Sequence, residues 1–415
     1  MPRFDGLWRH RDFRYLWGGE TVSVFGTLVG RLALAFTAIL TLHASALEVS
    51  LLAACEMAPG VVLGVAAGVW VDRLPRRAVM IVADIARFLL LTSIPLAAAA
   101  GVLTIAQVFA VAALRASFDA FFAIAYQAYL PGLVGPESVI EGNSKLSASA
   151  SVAEVAGFGL AGWLVQALSA PGAVLVDGLS FLVSAVALLR VRAVEAPVEA
   201  DPDHVGFVAE ARAGFAVVAR DPVLRSLGIA GVVFQLSQGI FGAIIVLFVT
   251  RELDLDPGVQ GMIYAIGGAS SLVGALFAGR SARMHFGRSM SIAALLRGVG
   301  ALSAALAAGP LAARVTGLAG NQLLTDPAAT FYDIRETAAR QTLVAPAILG
   351  RVSATFHMAN FGAGLLGVVA AGLLADALGL RATMVLSAFC GIASGVVLFV
   401  SPVGRLAQVH AAVTD

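Results

Sequence analysis

Charge is scarce in this 415-residue chain: Asp, Glu, Lys and Arg make up 13% of it, about half their share in a soluble domain. With 59% hydrophobic residues and a mean hydropathy of +0.90, that scarcity excludes a water-soluble globule. Cysteine is almost missing. Cys55 and Cys390 both fall in apolar runs without metal-ligand spacing and read as small packing residues. There is no phosphate-cradling Gly-Lys-Ser loop, no metal-spaced His/Cys cluster and no nucleophile motif, which argues against an enzyme and against ATP as an energy source. No cofactor and no metal are expected. A net charge of +1, with no basic run interleaved with aromatics, gives no nucleic-acid partner. The basic start Pro2 to Arg14 leads directly into a long apolar run, so no cleavable signal is expected.

Apolar runs are what the chain has instead. A hydrocarbon core about 30 Å thick takes roughly 20 residues of helix. Twelve such spans fit the sequence: 16–42, 48–70, 78–100, 104–128, 147–168, 172–190, 225–249, 258–279, 289–309, 312–332, 352–376 and 381–401. The expected fold is an all-α membrane protein whose main partner is the lipid bilayer. An even number of spans puts both termini on one side. If that side is cytoplasmic, 20 of the 27 cations lie there, and the opposite loops hold only Arg251, Arg314 and Arg381, as the positive-inside rule expects. The expected location is a cytoplasmic (inner) membrane, as a monomer with both termini inside.

A polar stretch at 191–224 divides the chain. It holds Glu195, Pro197, Glu199, Asp201, Pro202, Asp203 and His204, then a weakly amphipathic segment at about 206–219. This reads as a linker ending in a surface helix, between a six-helix half at 1–190 and another at 225–415. The halves also look like repeats. A shift of 210 aligns Ala161-Gly162 with Ala371-Gly372, and a shift of 211 places Gly68 over Gly279 and Arg77 over Arg288. Two parallel repeats imply a midplane substrate site between them and alternating access.

A compact charge cluster, Gly68, Asp72, Arg73, Arg76 and Arg77, separates the second and third spans. Asp72 and Arg73 at a span end can cap a neighbouring helix and form a cytoplasmic gate, or the arginines can simply fix orientation. These residues resemble the signature of the major facilitator superfamily, although Pro75 stands where glycine is usual. Arg115 matches the buried arginine of that family's second motif. The fifth-span antiporter motif is represented by Gly157-Phe158-Gly159-Leu-Ala-Gly162, with Phe158 in the proline position. The start Trp8-Arg-His-Arg-Asp12-Phe13-Arg14, the run Asn143 to Leu146 and Val176-Asp177-Gly178-Leu-Ser180-Phe181 resemble the bacterial exporters of siderophores such as enterobactin, and of macrolides and other drugs. The resemblance covers nearly the whole chain and implies the twelve-helix major facilitator fold.

Ionisable residues within spans each cost roughly 2.5–3.5 kcal/mol at a helix centre and call for a partner or a purpose. The first half has Glu20 and Arg31 on one stripe of the first span, Glu56 in the second, Arg115 and Asp119 four apart in the fourth, and Glu154 in the fifth. Proton coupling needs a carboxylate that alternates between neutral and charged beside a tuning cation. Asp119 with Arg115 meets that need first, then Glu20 with Arg31. Each pair would equally serve as a permanent structural ion pair. Asp84 and Arg87 read as gate support, and Asp177 as a cap near the start of the sixth span.

The second half is richer in amides and rings: Gln235, Gln238, Tyr264, Asn321, Gln322, Asp326, His357 and Asn360 are candidates for binding a partly polar cargo, or for gluing helices together. The Asp326-Pro327 step is expected to free backbone groups in mid-span. Three functions remain: export of a small amphipathic molecule by proton exchange, import or facilitated movement of a metabolite, and a non-transporting sensor. The first is the expectation, with protons and a small-molecule cargo as partners.

Overall fold

The computed structural model describes residues 6–71, 73–193, 207–281 and 284–408. The expected all-α architecture is found, built, among the described residues, on twelve helices of at least 20 residues. The first six are α1 (Arg11–Phe36), α2 (Ala46–Val71), α3 (Arg76–Ala99), α4 (Ile105–Val134), α5 (Val139–Leu168) and α6 (Ala170–Arg190). After the short α7 (Phe207–Arg220) come α8 (Pro222–Arg251), α9 (Pro257–Arg280), α10 (Phe286–Ala305), α11 (Leu311–Leu343), α12 (Pro346–Leu378), α13 (Leu380–Val400) and the four-residue α14 (Pro402–Arg405). Nine helices among the described residues are long and apolar enough to cross a membrane; α2, α10 and α11 match them in length. Side chains such as Leu89, Leu96, Phe277, Leu366 and Phe399 are at least 60% exposed, a surface suited to lipid rather than water.

Short polar side chains set where the helices begin. Thr104 accepts from Gln107 N–H to start α4, Ser169 caps α6, and Asp221 accepts from Val223 and Leu224 N–H to start α8. The corner between α5 and α6 turns at Ser169 with φ 70°, and the corner between α12 and α13 turns at Gly379 with φ 86°. These positions are 210 apart, so both halves need the left-handed region at the same point, and only the second fills it with glycine.

By contacts the chain divides into two compact units, Met1–Asp201 with Asp256–Ala265, and Pro202–Leu255 with Ile266–Asp415. In the first, α1 packs on α5 and α6, α3 on α4 and α6, and α2 on α4. In the second, α8 packs on α12 and α13, and α10 on α11 and α13, four pairings that repeat those of α1 and α3 in the first. The amphipathic segment is α7, which packs on α12 and α8. The linker residues Glu195, Pro197, Glu199, Asp201, Pro202, Asp203 and His204 lie outside the described residues.

The structure changes two local expectations. The tenth span, expected at 312–332, is the 33-residue helix Leu311–Leu343 and is continuous through Pro327, where α9 packs closely: a Cβ at Gly274 would fall 2.2 Å from the Pro327 carbonyl oxygen. Asp177 is not a cap. Ser169 takes that role, and Asp177 lies eight residues into α6 with no exposure.

Candidate functional site

The first unit buries a cluster of charge. Arg87 of α3 is held flat between two rings, its guanidinium carbon 4.4 Å from the Phe122 centroid and 4.0 Å from that of Phe181. In that plane it donates to Asp84 Oδ1 at 2.5 Å and to Asp119 Oδ1 at 2.8 Å. Arg115, one turn before Asp119 on α4, donates to Glu56 Oε1 of α2 at 3.3 Å. Its Nη1 lies 3.8 Å from Asp119 Oδ2 and also 3.8 Å from Asp177 Oδ2. Two guanidiniums therefore serve four carboxylates contributed by four helices. Buried charges without partners cost several kcal/mol each, and the contacts within the cluster offset that cost.

Small residues make room for it. Gly26 and Gly30 lie one turn apart on α1, facing α6. A Cβ on Gly30 would sit 1.9 Å from Asp177 Oδ2, and one on Gly26 would sit 2.0 Å from Ser180 Oγ. The Gly-x-x-x-Gly stripe draws the helices together and seats the carboxyl between them. That stripe was the sequence signal by which Asp177 could have been placed in the cluster. Asp84 and Arg87, spaced i, i+3 in an apolar helix, were a second one.

The expected pairs are partly brought together. Arg115 and Asp119 meet, within a larger network that includes Asp84 and Arg87 rather than leaving those two at a gate. No ion pair joins Glu20 and Arg31 among the described residues: Arg31 is exposed, and Glu20 lies in the field of Arg87 and Asp84, with Oε2 buried and unpartnered. Glu56 belongs to the cluster through Arg115. Glu154 is exposed on α5, outside it.

Of the gate residues, Arg76 donates to the Ala128 carbonyl of α4 at 3.1 Å, and Arg77 to the Leu188 and Leu189 carbonyls that end α6, at 2.8 and 2.9 Å. Arg77 thus satisfies the end of α6, and Arg76 ties the start of α3 to the body of α4, both within the first unit. Arg73 is exposed, Gly68 lies in α2, and Asp72 lies outside the described residues.

In the second unit the cargo candidates form separate groups rather than one. Gln322 and Asp326 of α11 press on Gly267 of α9, where a Cβ would lie 2.5 and 2.3 Å from their side chains, and Asn321 is buried on the same helix. Asn360 of α12 sits over Gly231 of α8, its Oδ1 buried and unpartnered. Gln235 and Gln238 are half-buried on α8, and His357 is exposed beside Phe361, ring centroids 6.2 Å apart. Tyr264, which clusters with the first unit, has its ring 6.0 Å from that of Phe158. Among the described residues no group of three or more His, Cys, Asp or Glu is arranged to hold a metal ion.

Two units of long apolar helices, the first holding a cluster of charge, define a membrane carrier. Residues 21–333 match the model of the Major Facilitator Superfamily, and the chain belongs to that family. Among its relatives is the multidrug efflux pump Tap of Mycolicibacterium fortuitum, 29% identical over 378 residues, covering 87% of this chain and 88% of that protein. The uncharacterized MFS-type transporter y4rN of Sinorhizobium fredii (strain NBRC 101917 / NGR234) is also 29% identical, over 249 residues that cover 58% of this chain and 59% of that protein. In fold the chain is similar to the nucleoside transporter NupG, with a TM-score of 0.76 and 14% identity over 94% of this chain and 98% of that one.

Proposed function

We propose that the chain is a secondary active exporter that moves a small amphipathic molecule, drug-like or siderophore-like, out across the bacterial cytoplasmic membrane in exchange for protons, by alternating access. The observation that carries this reading is the excess of carboxylates over guanidiniums in the buried cluster of Glu56, Asp84, Arg87, Arg115, Asp119 and Asp177. Such a site is most economically neutral when it holds protons, and it becomes charged when it releases them, so its ion pairs differ between the two conditions. A carrier that opens to one side protonated and to the other side deprotonated couples proton entry to cargo exit. The multidrug efflux relative supports the outward direction. The excess of cations at one set of loops supports an orientation with both termini in the cytoplasm. Gln235, Gln238, Asn321, Gln322, Asp326, His357 and Asn360 are the groups offered to the polar part of the cargo, with Tyr264 as an aromatic face.

The test is dye-reported proton flux in proteoliposomes on adding a macrolide, a catecholate siderophore or a lipophilic cation, for wild type, Asp119→Asn and Glu20→Gln. Cargo-dependent proton release that is lost in Asp119→Asn supports the exchange. Cargo movement indifferent to the proton gradient and to both substitutions would instead make the protein a facilitator whose buried charges are structural.

A further inference from the structure

One carboxyl in the cluster differs from the rest. Asp177 has no exposure, and neither of its oxygens accepts a hydrogen bond. The nearest cationic atom, Arg115 Nη1, is 3.8 Å away, beyond hydrogen-bond reach, and that atom and Arg115 Nε are themselves without acceptors. An ionised carboxylate in a dry site would close on an idle N–H of a guanidinium, because a charge-assisted bond is the strongest interaction within its reach. Arg115 hangs on a long, rotatable side chain, so its guanidinium can shift farther than the separation that remains. A gap with an unsatisfied group on either side is the geometry of a carboxyl that is neutral.

The surrounding charges agree with this assignment. From α3, Arg87 is fully engaged by Asp84 and Asp119. From α4, Arg115 is committed through Nη2 to Glu56 of α2, and its Nη1 is equidistant from Asp119 Oδ2 and Asp177 Oδ2. From α1, Gly30 presents only backbone to Asp177, Glu20 lies in the field of Arg87 and Asp84, and Arg31 is exposed. Asp177 is therefore the acid that has been left without a cation of its own.

We propose that Asp177 carries the exchanged proton, and that Arg115 Nη1 is the switch that moves onto it when the proton leaves. The proposal rests on the antiport reading and names its carrier. In the step, which needs the carrier open far enough to admit water to the cluster, the O–H bond of the Asp177 carboxyl breaks and its proton passes to that water. The carboxylate left behind accepts an N–H···O bond from Arg115 Nη1, and no electrons change hands. Uptake of a proton from water reverses both events. Because Asp177 is seated against Gly26 and Gly30, the carboxyl stays in place while the guanidinium moves, pulling on α4 and, through Glu56, on α2.

Infrared difference spectroscopy of the full-length protein, titrated across neutral pH, reads the site directly. The expected result is a carboxylic-acid C=O band, shifted in D2O, that titrates in wild type, persists in Asp119→Asn and is lost in Asp177→Asn. A titrating band unchanged in Asp177→Asn, or no such band in wild type, overturns the proposal. Should Asp177→Asn fail to accumulate, labelling wild-type membranes with dicyclohexylcarbodiimide, which attacks protonated carboxyls in apolar surroundings, followed by peptide mapping, gives the same decision: an adduct on Asp177 supports it, and adducts only on Glu56, Asp84 or Asp119 overturn it. Proton flux in proteoliposomes separates the two layers. An Asp177 band without cargo-driven flux from wild type removes the antiport reading and leaves the proton site, whereas wild-type flux with the band assigned elsewhere removes the site and leaves antiport.

Discussion

Arg87 and Arg297 stand 210 residues apart at the same point of the two units, and each lies over the ring 35 positions further on: Phe122 at 4.4 Å and Tyr332 at 4.7 Å. The likeness ends at the acids. Arg87 pairs with Asp84 and Asp119, whereas a shift of 210 from those two falls on Ala294 and Ala329, and Arg297 instead rests on Phe234 at 3.0 Å. Both scaffold arginines thus lie against rings, but only Arg87 has carboxylates in direct contact, whereas Asp333 and Glu336 act on Arg297 from a distance.

The contrast sets opposite costs for the same substitution. Arg87→Met strands a fully buried Asp84 and is expected to lose about 3–5 kcal/mol. Arg297→Met removes ring contacts, a costly desolvated charge and the longer-range field that Arg297 shares with Asp333 and Glu336, with no carboxylate in salt-bridge contact left stranded, for a change of no more than about 2 kcal/mol. Thermal and denaturant unfolding of the two variants in detergent checks this, and equal losses would contradict it.

Two sequence segments 130 residues apart also meet. Lys145 Nζ lies 4.2 Å above the Trp8 ring and 3.4 Å from Glu141, and Glu141 accepts from the Leu7 N–H at 3.1 Å. Trp17 Nε1 adds a bond to Ser149 at 2.8 Å. The amino-terminal turn is therefore pinned to the start of α5. Lys145→Met should weaken the pin by about 1 kcal/mol, a factor of about five in local opening, read as faster tryptic cleavage after Arg9 and Arg11 with the global unfolding temperature little changed.

Much of the fold was legible because bilayer thickness turns composition into helix length, and the apolar runs located the long helices, although α5 begins eight residues before its expected span and α11 ends eleven residues after its own. The site was less legible. Sequence spacing finds partners on one helix, as for Arg115 and Asp119, but Glu56 and Asp177 reach Arg115 from two other helices, and no spacing along the chain encodes that. Glu20 and Arg31 share a helical stripe, yet eleven residues is about 16 Å of rise, too far for a pair, and Glu20 comes under the influence of Arg87 and Asp84 instead. The meaning of Asp177 lay in its neighbours Gly26 and Gly30, residues that carry no chemistry of their own.

Glycines separate close packing from free surface on a single helix. A Cβ on Gly239 of α8 would fall 2.1 Å from the Gly364 carbonyl oxygen of α12, while one on Gly242 meets nothing within 4 Å. Gly239→Ala must push two backbones apart and should destabilise by about 1–3 kcal/mol. Gly242→Ala, exposed and mid-helix, should instead stabilise by about 0.5–1 kcal/mol through helix propensity. Unfolding midpoints that move in opposite directions are the expected result.

The last prediction concerns Arg381, one of the three cations in the loops opposite the cation-rich side. Its Nη1 donates to the Ala305 and Ala307 carbonyls at 2.8 and 2.9 Å, its Nε lies 3.2 Å from Glu252 Oε2, and its guanidinium faces Phe248 at 5.1 Å. One side chain thus closes the end of α10, the end of α8 and the start of α13, satisfying carbonyls that no helix bond reaches. Arg381→Ala should cost about 2–3 kcal/mol, because hydrogen bonds to a charged donor contribute about 1.5–3 kcal/mol and two acceptors are left bare. Lysine carries the charge but not the fork that reaches carbonyls and carboxylate together, so Arg381→Lys should recover less than half of the loss. Glu252→Gln alone should cost less than about 1 kcal/mol, since that ion pair is partly exposed. A double-mutant cycle over Glu252 and Arg381 then yields a small coupling beside a large single effect of Arg381, whereas a coupling as large as the Arg381→Ala loss would make the ion pair, not the carbonyl ties, the source of stability.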